Sequence, residues 1–504
     1  MVDNNDRWQG VSTPLCFLHL HQTLCFKQQN SRDFVTNLQM VELVLEDKDA
    51  ADWVYRGEGG LNIVLAYNGS SSNFIGKVLR VRKVKRNGTE CEKAPSALSV
   101  HECLVWEGVG DLLSASTKDI VNHMYAKHVM SPLLGPQHVD AGVRVQVTKE
   151  FLELVHNRVL FQRPSWRVDN ARVNTLHDSA LLMSDHSIFP HAVDGEECCI
   201  SVEIKPKCGF LPVSKFIREK NSAKKRISRF KLHQILKFHQ GKISQISEYD
   251  PLDLFSGSKP RVLKSIKDLF LTPQNNFRVL INGSLVFGSS GGEAEDTDSQ
   301  IAESFEQTLK NIIKADDGTR TAKFLNLVGE AVYNSGIMNR LLEVQKLDVF
   351  DIEGVIHAYY DVVSEPCAVC REFGDGNVLS KYDGFHSIPF EESLKIVRDF
   401  LVASTAKDLS LMIGFRGRGK GRGISGDSYD VVCLDSGDQS FDYKVSFIDL
   451  DMKPLEKMAY YYKLDQEIIN CYTRMMETVN RPEKSLVEIL YQDQSAAIED
   501  ISQT

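Results

Sequence analysis

The chain has no run of 18 or more apolar residues, so no segment of it has the length to cross a bilayer as a helix. Its beginning lacks the basic and then apolar pattern of a secretory leader and carries Asp3 and Asp6 instead, so residence in the cytoplasm, the nucleus or both is expected. Eleven cysteines in 504 residues are too few for a disulfide framework, which leaves free thiols or metal ligands. A net charge of −9 leaves no broad basic field of the kind a dedicated nucleic-acid binder shows. Any anionic ligand must therefore be met by local clusters of cations. No internal repeat is present.

What the chain does have is 42% apolar and 25% charged residues, enough for a large core divided into two or three structural units. Residues 1–39 mix Gln, Asn, His and Cys without periodicity and are expected to be a disordered extension. Ordered structure is expected to start in the run Val41 to Trp53. From Val54 the pattern is strand, Gly-rich turn, strand, followed by a third strand in FIGKVLRVRKV, which predicts a small and mostly antiparallel unit. A β run at Cys198 to Lys207, a basic helical stretch from about Ser222 to His239, and helical patterns at Ser299 to Leu347 and Leu394 to Thr405 follow. Gly288 to Ser299 reads as a loop. So does Gly414 to Ser425, an Arg/Gly-rich stretch between two apparent strands.

Five constellations carry chemistry. Arg56, Gly57, Glu58, Gly59, Gly60 and Asn62 form a Gly-rich turn between strands, where backbone N–H groups could approach nucleotide phosphates. A plain hairpin explains the glycines equally well, but Lys77 and Arg80 on the next strand add cations beside the turn. Period-two alternation in Ser201 to Lys207 puts Glu203, Lys205 and Lys207 on one face, and Pro206 marks the end or edge of that strand. The alternative is a solvated edge guarded by lysines. In the basic helix, Lys224, Lys225, Arg226, Arg229, Lys231 and Lys237 accompany apolar positions, and Arg229, His233 and Lys237 fall within roughly 80° of one another. A merely solvated face is the competing explanation.

Val445 to Ile448 is a β run ending in Asp449 and Asp451, then Lys453, Lys457 and Tyr461. A carboxylate at a strand end suits Mg²⁺, and Asp408, just before another strand, could orient or deprotonate an attacking hydroxyl. Both aspartates could instead cap turns. Finally, His357, Cys367, Cys370 and His386 offer two thiolates and two imidazoles, a closed set for tetrahedral Zn²⁺. A redox Cys-x-x-Cys is the other option.

The segments EIKPKCGFLP (Glu203 to Pro212), SEYDPLDLFSG (Ser247 to Gly257), TPQNNFRV (Thr272 to Val279) and FIDLDMKPL (Phe447 to Leu455) resemble the inositol-pentakisphosphate 2-kinase family, plant type. The likeness runs from about Met40 to Tyr462 and extends to RGEGG, LLGPQHVDAGVRV and the Cys/His tetrad. It implies an α+β, two-lobed, kinase-like fold of the inositol polyphosphate kinase type with a structural zinc module in the second lobe. The implied layout is an N-terminal lobe at 40–185 with the Gly-rich loop and hinge, a C-terminal lobe at 186–465, and a tail at 466–504. The implied reaction is ATP-dependent phosphorylation of inositol 1,3,4,5,6-pentakisphosphate at its 2-hydroxyl, giving the hexakisphosphate, phytate.

On the family's pattern, the Gly-rich loop (Arg56, Gly57, Gly59, Gly60, Asn62) and Arg80 cover ATP phosphates, Ser184, Asp185 and His186 meet adenine, and Glu203 acts on the nucleotide side. Asp449 holds Mg²⁺ and Asp408 is the base. Substrate phosphates fall to Arg163, Lys205, Lys207, Arg229, Lys237, Asn275, Asn276, Lys453, Lys457 and Tyr461. Lys457 departs from the arginine expected in the plant branch and offers a point charge where a bidentate grip would be. A monomer without membrane or nucleic-acid partners is expected. Two rivals stand beside this reading: an inositol polyphosphate kinase of other positional specificity, and an RNA-binding protein using the zinc module and the Arg/Gly-rich loop.

Overall fold

Apolar residues alternating along the first third of the chain build a sheet whose two faces do different work. In the computed structural model, which describes residues 43–86, 97–189, 198–289, 297–372, 386–418, 429–434 and 439–479, this sheet contains β1 (Val44–Leu45), β2 (Trp53–Glu58), β3 (Asn62–Tyr67), β4 (Lys77–Lys85), β5 (Val143–Val147), β6 (Ala171–Val173) and β7 (Ser179–Ser184). The order is β1-β5-β7-β4-β3-β2, with β6 paired to β4. All pairs are antiparallel except β1 with β5. Ile63, Leu65, Leu79 and Val81 point to one face and pack on Phe151, Leu152, Val155 and Val159 of the Lys149–Val159 helix. Thr148 caps that helix by accepting from Phe151 N at 3.1 Å. Register sets the opposite face: Arg80 lies across from Val64 and Leu181, and Val78 from Ala66 and Met183.

The second sheet contains β8 (Cys199–Ile204), β9 (Phe277–Ile281), β10 (Ser284–Phe287), β11 (Ser410–Gly417), β12 (Asp430–Cys433) and β13 (Ser440–Ile448), in the order β10-β9-β8-β11-β13-β12 and antiparallel throughout. Ile200, Val202, Ile204, Leu411, Ile413 and Phe415 are fully buried in a core shared with the Lys259–Leu271, Arg320–Ser335, Ile337–Gln345, Asp351–Val362 and Phe390–Ala406 helices. The architecture is mixed α/β with two sheets.

Three expectations change. The basic stretch is two elements, a 3-10 turn at Glu219–Lys225 and a helix at Arg229–His239, which separates Lys224 from Lys237. Strand β11 continues through Gly414 to Gly417, in register with Lys444 to Phe441, so the Arg/Gly-rich stretch starts inside a strand; residues 419–428 lie outside the described set. The residues read as a tail from 466 begin as helix, because Met458–Val479 is continuous and buries Ile468, Ile469, Cys471 and Met475 against Leu232, Leu236 and Phe238. The 1–39 extension and most of the 288–299 loop also lie outside the described residues. Among the described residues, no helix is long and apolar enough to cross a membrane.

Candidate active site

Strand register brings four segments to one edge of the second sheet. Ile204, at the end of β8, pairs with Leu411 near the start of β11 and with Phe277 at the start of β9, while Ser410 pairs with Ile448 at the end of β13. Residues 205–207, 275–276, 408–410 and 449–453 therefore leave or enter the sheet side by side. This is the edge where the sequence had placed most of its polar candidates.

At that edge, Lys205 Nζ lies 3.2 Å from Asp449 Oδ2, Lys453 Nζ 2.5 Å from Asp408 Oδ2, and Lys207 Nζ 3.7 Å from Asp408 Oδ1. Ser410 Oγ donates to Glu203 Oε1 at 2.8 Å and stands 3.4 Å from Asp449 Oδ2; Arg278 pairs with Glu203 at 3.1 Å. Burial pushes the Asp449 carboxyl up, but Lys205 and Arg80 outweigh it and hold it below the usual carboxylate range. Asp408 behaves likewise: burial raises it, and Lys453 and Lys207 pull it lower. Both carboxylates are more than half exposed to the cleft. Burial, reinforced by Lys205, Lys237 and Lys453 and opposed by Asp408, lowers Lys207 to about 8.

From this edge a cavity of about 350 Å³ runs beneath the Arg229–His239 helix. Lys207, Arg229, His233, Lys237, Asn276, Asp408, Lys453 and Tyr461 line it, among apolar groups such as Phe210 and Ile468. Arg229, His233 and Lys237 follow one another at i, i+4 and i+8 along that helix. Burial and then the cations Lys237, Arg229 and Lys207 hold His233 down at about 3, so it is neutral. Asn276 is 2% exposed, its Oδ1 has no hydrogen-bond partner, and its backbone oxygen accepts from Lys205 N at 2.9 Å. Asn275 and Lys457 are exposed. Burial raises Tyr461 to about 12, and Asp408 adds to the shift.

The first sheet supplies the roof. A side-chain carbon added at Gly57, Gly59 or Gly60 would meet nothing within 4 Å. No neighbouring protein group demands a small residue at these three positions. Arg80 pairs with Asp451, and with its amide oxygen turned toward the strand Asn62 accepts from Arg80 Nε and Nη2 at 2.9 and 2.6 Å. Arg56 Nη2 donates to Asp185 Oδ2 at 2.7 Å, and Ser187 N donates to Oδ1 at 2.9 Å, so the Asp185 carboxylate is already engaged. Ser184 Oγ accepts from Lys77 at 3.3 Å. His186 is pushed down to about 4 by burial and by Lys444.

Arg163 is placed elsewhere. Its side chain is fully buried and makes a two-pronged contact with Glu58, Nε to Oε1 at 2.8 Å and Nη2 to Oε2 at 3.0 Å, alongside Lys83. It supports the Gly-rich turn from behind, and no face of it reaches the cavity. Arg167, which the sequence reading passed over, donates to Gly59 O at 3.2 Å and lies 4.1 Å from the Trp166 ring. Its place four residues after Arg163, on the short Ser165–Asn170 helix, was the available signal. Also passed over were Gln234 and Gln274, buried amides that exchange two 2.9 Å hydrogen bonds and seat the Arg229–His239 helix against the loop bearing Asn275 and Asn276.

Away from the cleft, His357, Cys367, Cys370 and His386 bring four ligand atoms within 4.8 Å of one another. Zinc bonds of about 2.3 Å to sulfur and 2.0–2.1 Å to nitrogen, at tetrahedral angles, put S and N about 3.5 Å apart. The Cys367–His357, Cys370–His357 and Cys370–His386 separations are 3.4, 3.3 and 3.3 Å. His386 Nδ1 lies 2.7 Å from Asp361 Oδ1, a contact that fixes the orientation of the ring and leaves Nε2 toward Cys370.

The sequence profile of the inositol-pentakisphosphate 2-kinase family matches residues 55–467. The chain is 52% identical over 447 residues to an inositol-pentakisphosphate 2-kinase of Arabidopsis thaliana, covering 88% of this chain and 98% of that one. A protein of the same name from Oryza sativa subsp. indica is 50% identical over 444 residues, with the same shares covered. Another from Danio rerio is 29% identical over 494 residues, covering 85% and 95%. The chain belongs to the inositol-pentakisphosphate 2-kinase family.

Proposed function

We propose that the cleft transfers the γ-phosphoryl group of ATP to the 2-hydroxyl of inositol 1,3,4,5,6-pentakisphosphate, yielding the hexakisphosphate, and that the two sheets are the lobes of a kinase-like fold. The observation that carries this reading is the convergence of Lys205, Lys207, Asp408, Asp449 and Lys453 on one sheet edge, at the mouth of a cavity lined by further cations. A pentakisphosphate needs many cations in one pocket, and transfer adds negative charge that they stabilise.

The nucleotide fits the roof. Gly57, Gly59 and Gly60 leave open the space a phosphate chain would fill, and Val64, Val78 and Met183 share the strand face of Arg80, an apolar platform for a base. With the Asp185 carboxylate engaged by Arg56, its contribution to adenine comes through backbone groups of 184–186. Asp449, exposed in the cleft and ionised, is the carboxylate for Mg²⁺, and Glu203 stands behind it through Ser410. Bound here, Mg²⁺-ATP supplies the transferable phosphoryl group and the metal's positive charge.

Asp408, ionised and held by Lys453 and Lys207, accepts the hydrogen of the 2-hydroxyl, aims its oxygen, and takes its proton as transfer proceeds. Lys207, Lys237, Lys453, Asn276 and Tyr461 meet substrate phosphates along the cavity, together with Arg229. Asn275 and Lys457 complete the set at the exposed rim. The Cys/His tetrad is a closed ligand set, suited to a structural Zn²⁺.

The test is incubation of purified protein with Mg²⁺-ATP and the pentakisphosphate bearing a free 2-hydroxyl, products being resolved by anion exchange. Hexakisphosphate is expected from the native chain and not from Asp449→Ala. No product from folded, zinc-replete protein overturns the proposal.

A further inference from the structure

The loop that carries Lys205 and the cavity lysine Lys207 is held at several backbone groups. Lys205 N donates to Asn276 O at 2.9 Å, Tyr249 Oη donates to Pro206 O at 2.8 Å, and Lys207 has a left-handed backbone with φ 62°. A non-glycine residue keeps that conformation only when its surroundings enforce it. The enforcing group is Gln345, at the end of the Ile337–Gln345 helix and 0% exposed. Its Oε1 accepts from Gly209 N at 2.8 Å, and its Nε2 donates to Lys207 O at 2.8 Å and to Ala406 O at 3.1 Å. The orientation of the amide is determined, because one neighbour is an N–H and the other two are carbonyls. Gly209 adds a steric stop: a side-chain carbon there would lie 2.2 Å from the Phe255 ring.

Ala406 ends the Phe390–Ala406 helix two residues before Asp408. The neighbouring Lys407 is tied back to the same corner, its Nζ lying 2.6 Å from Asp348, three residues beyond Gln345. Two segments distant in sequence, one bearing Lys207 and the other Asp408, thus share one amide. We propose that Gln345 is a positioning residue for phosphoryl transfer: by tying Lys207 O to Ala406 O it sets the separation of the Lys207 ammonium from the Asp408 carboxylate. It touches neither substrate nor nucleotide and acts through those two groups. The inference rests on the roles given above to Lys207 and Asp408.

Gln345→Met keeps the length of the side chain and removes all three hydrogen bonds. With ATP saturating, kcat is expected to fall on the order of 10²-fold, as a small misplacement of reacting groups does, and KM for the pentakisphosphate to rise, while KM for ATP stays within about twofold. Val344→Ala, next along the same helix and also buried, controls for lost stability; after correction for folded fraction its kcat should match the native value within about twofold. On an Asp408→Asn background Gln345→Met should cost little more, since a residue acting through Asp408 has little left to misplace. If Gln345→Met does not fold, Gln345→Glu keeps the acceptor for Gly209 N and is read the same way. Folded Gln345 variants with native kcat and KM overturn the proposal, as does a loss that is unchanged on the Asp408→Asn background. Should Asp408→Asn and Lys207→Met themselves prove fully active, the underlying roles fail rather than Gln345 alone.

Discussion

Two groups of charge meet the same cavity and are balanced in opposite ways. Deep in its wall, Lys224 is 6% exposed and reaches Asp351 at 2.5 Å, Asp465 at 2.7 Å and Glu353 at 3.3 Å, with Arg218 also on Glu353 and Arg229 also on Asp465. Every cation there has its carboxylate. At the mouth, Lys237 and Lys453 stand close enough to Lys207 to depress it, and Lys207 and Lys453 share one carboxylate, Asp408. Burial lowers Lys207 to about 8, helped by its neighbouring lysines, whereas the three carboxylates around Lys224 overcome burial and raise it. Buried charge is tolerated only when paired. A balanced cluster is complete within the protein, and one with surplus cations is built for an anion that arrives.

The largest separation between the two groups should come from Lys207→Met combined with Lys237→Met. Affinity for the pentakisphosphate should fall about 10²–10⁴-fold, from two lost charge-assisted contacts, while thermal unfolding shows Tm unchanged or raised. A lowered Tm with unchanged KM would make the mouth structural after all. Next is Lys224→Met, which strands three buried carboxylates and should cost about 3–5 kcal/mol of unfolding free energy in a denaturant titration. The fraction that remains folded should keep its KM. A large KM effect in folded protein would move Lys224 into the binding set.

The third contrast is with pH. A lysine whose folded value is depressed from 10.5 to about 8 binds its proton less well folded than unfolded, so over that window stability rises with pH. Relative to Lys207→Met, the ligand-free native chain should gain stability between about pH 8 and 10.5. Substrate affinity should move the other way, falling up to about tenfold per unit above pH 8, because the phosphates need the protonated form. Equal pH slopes in the two proteins would remove Lys207 from the account. The smallest expected effect is at Arg229, which stands between the groups, on the cavity yet paired to Asp465 and 42% exposed. Arg229→Gln should raise KM by about fivefold or less; a rise like that of Lys207 would count it with the mouth.

The same comparison shows what could be read from the chain. The lysines around Pro206 marked a strand end, but the expected alternation stops short of them: β8 closes at Ile204 and Lys207 is left-handed, so the turn and not the strand period directs the two lysines. Helical spacing did align Arg229, His233 and Lys237. Nothing local distinguished Lys224 from Lys237, since the partners of Lys224, namely Asp351, Glu353 and Asp465, are more than a hundred residues away. The contact of Arg163 with Glu58 was hidden for the same reason, Glu58 lying in the distant turn that Arg163 supports. Gln345 was invisible: a glutamine at the end of an amphipathic helix carries no mark of a buried three-way amide. Motif residues show in sequence when their spacing is local, and the groups that hold them do not.

Asp449 has a backbone φ of 63°, in the left-handed region. Glycine and asparagine adopt that conformation readily, along with aspartate, while longer side chains resist it by roughly 1–2 kcal/mol. Glycine brings no carboxylate and asparagine no charge. Glutamate would keep the charge at the expense of the backbone and would move it outward by one carbon. On the Mg²⁺ role proposed for Asp449, what the chain geometry favours and what a divalent cation requires overlap in a single amino acid, so position 449 has little room to drift.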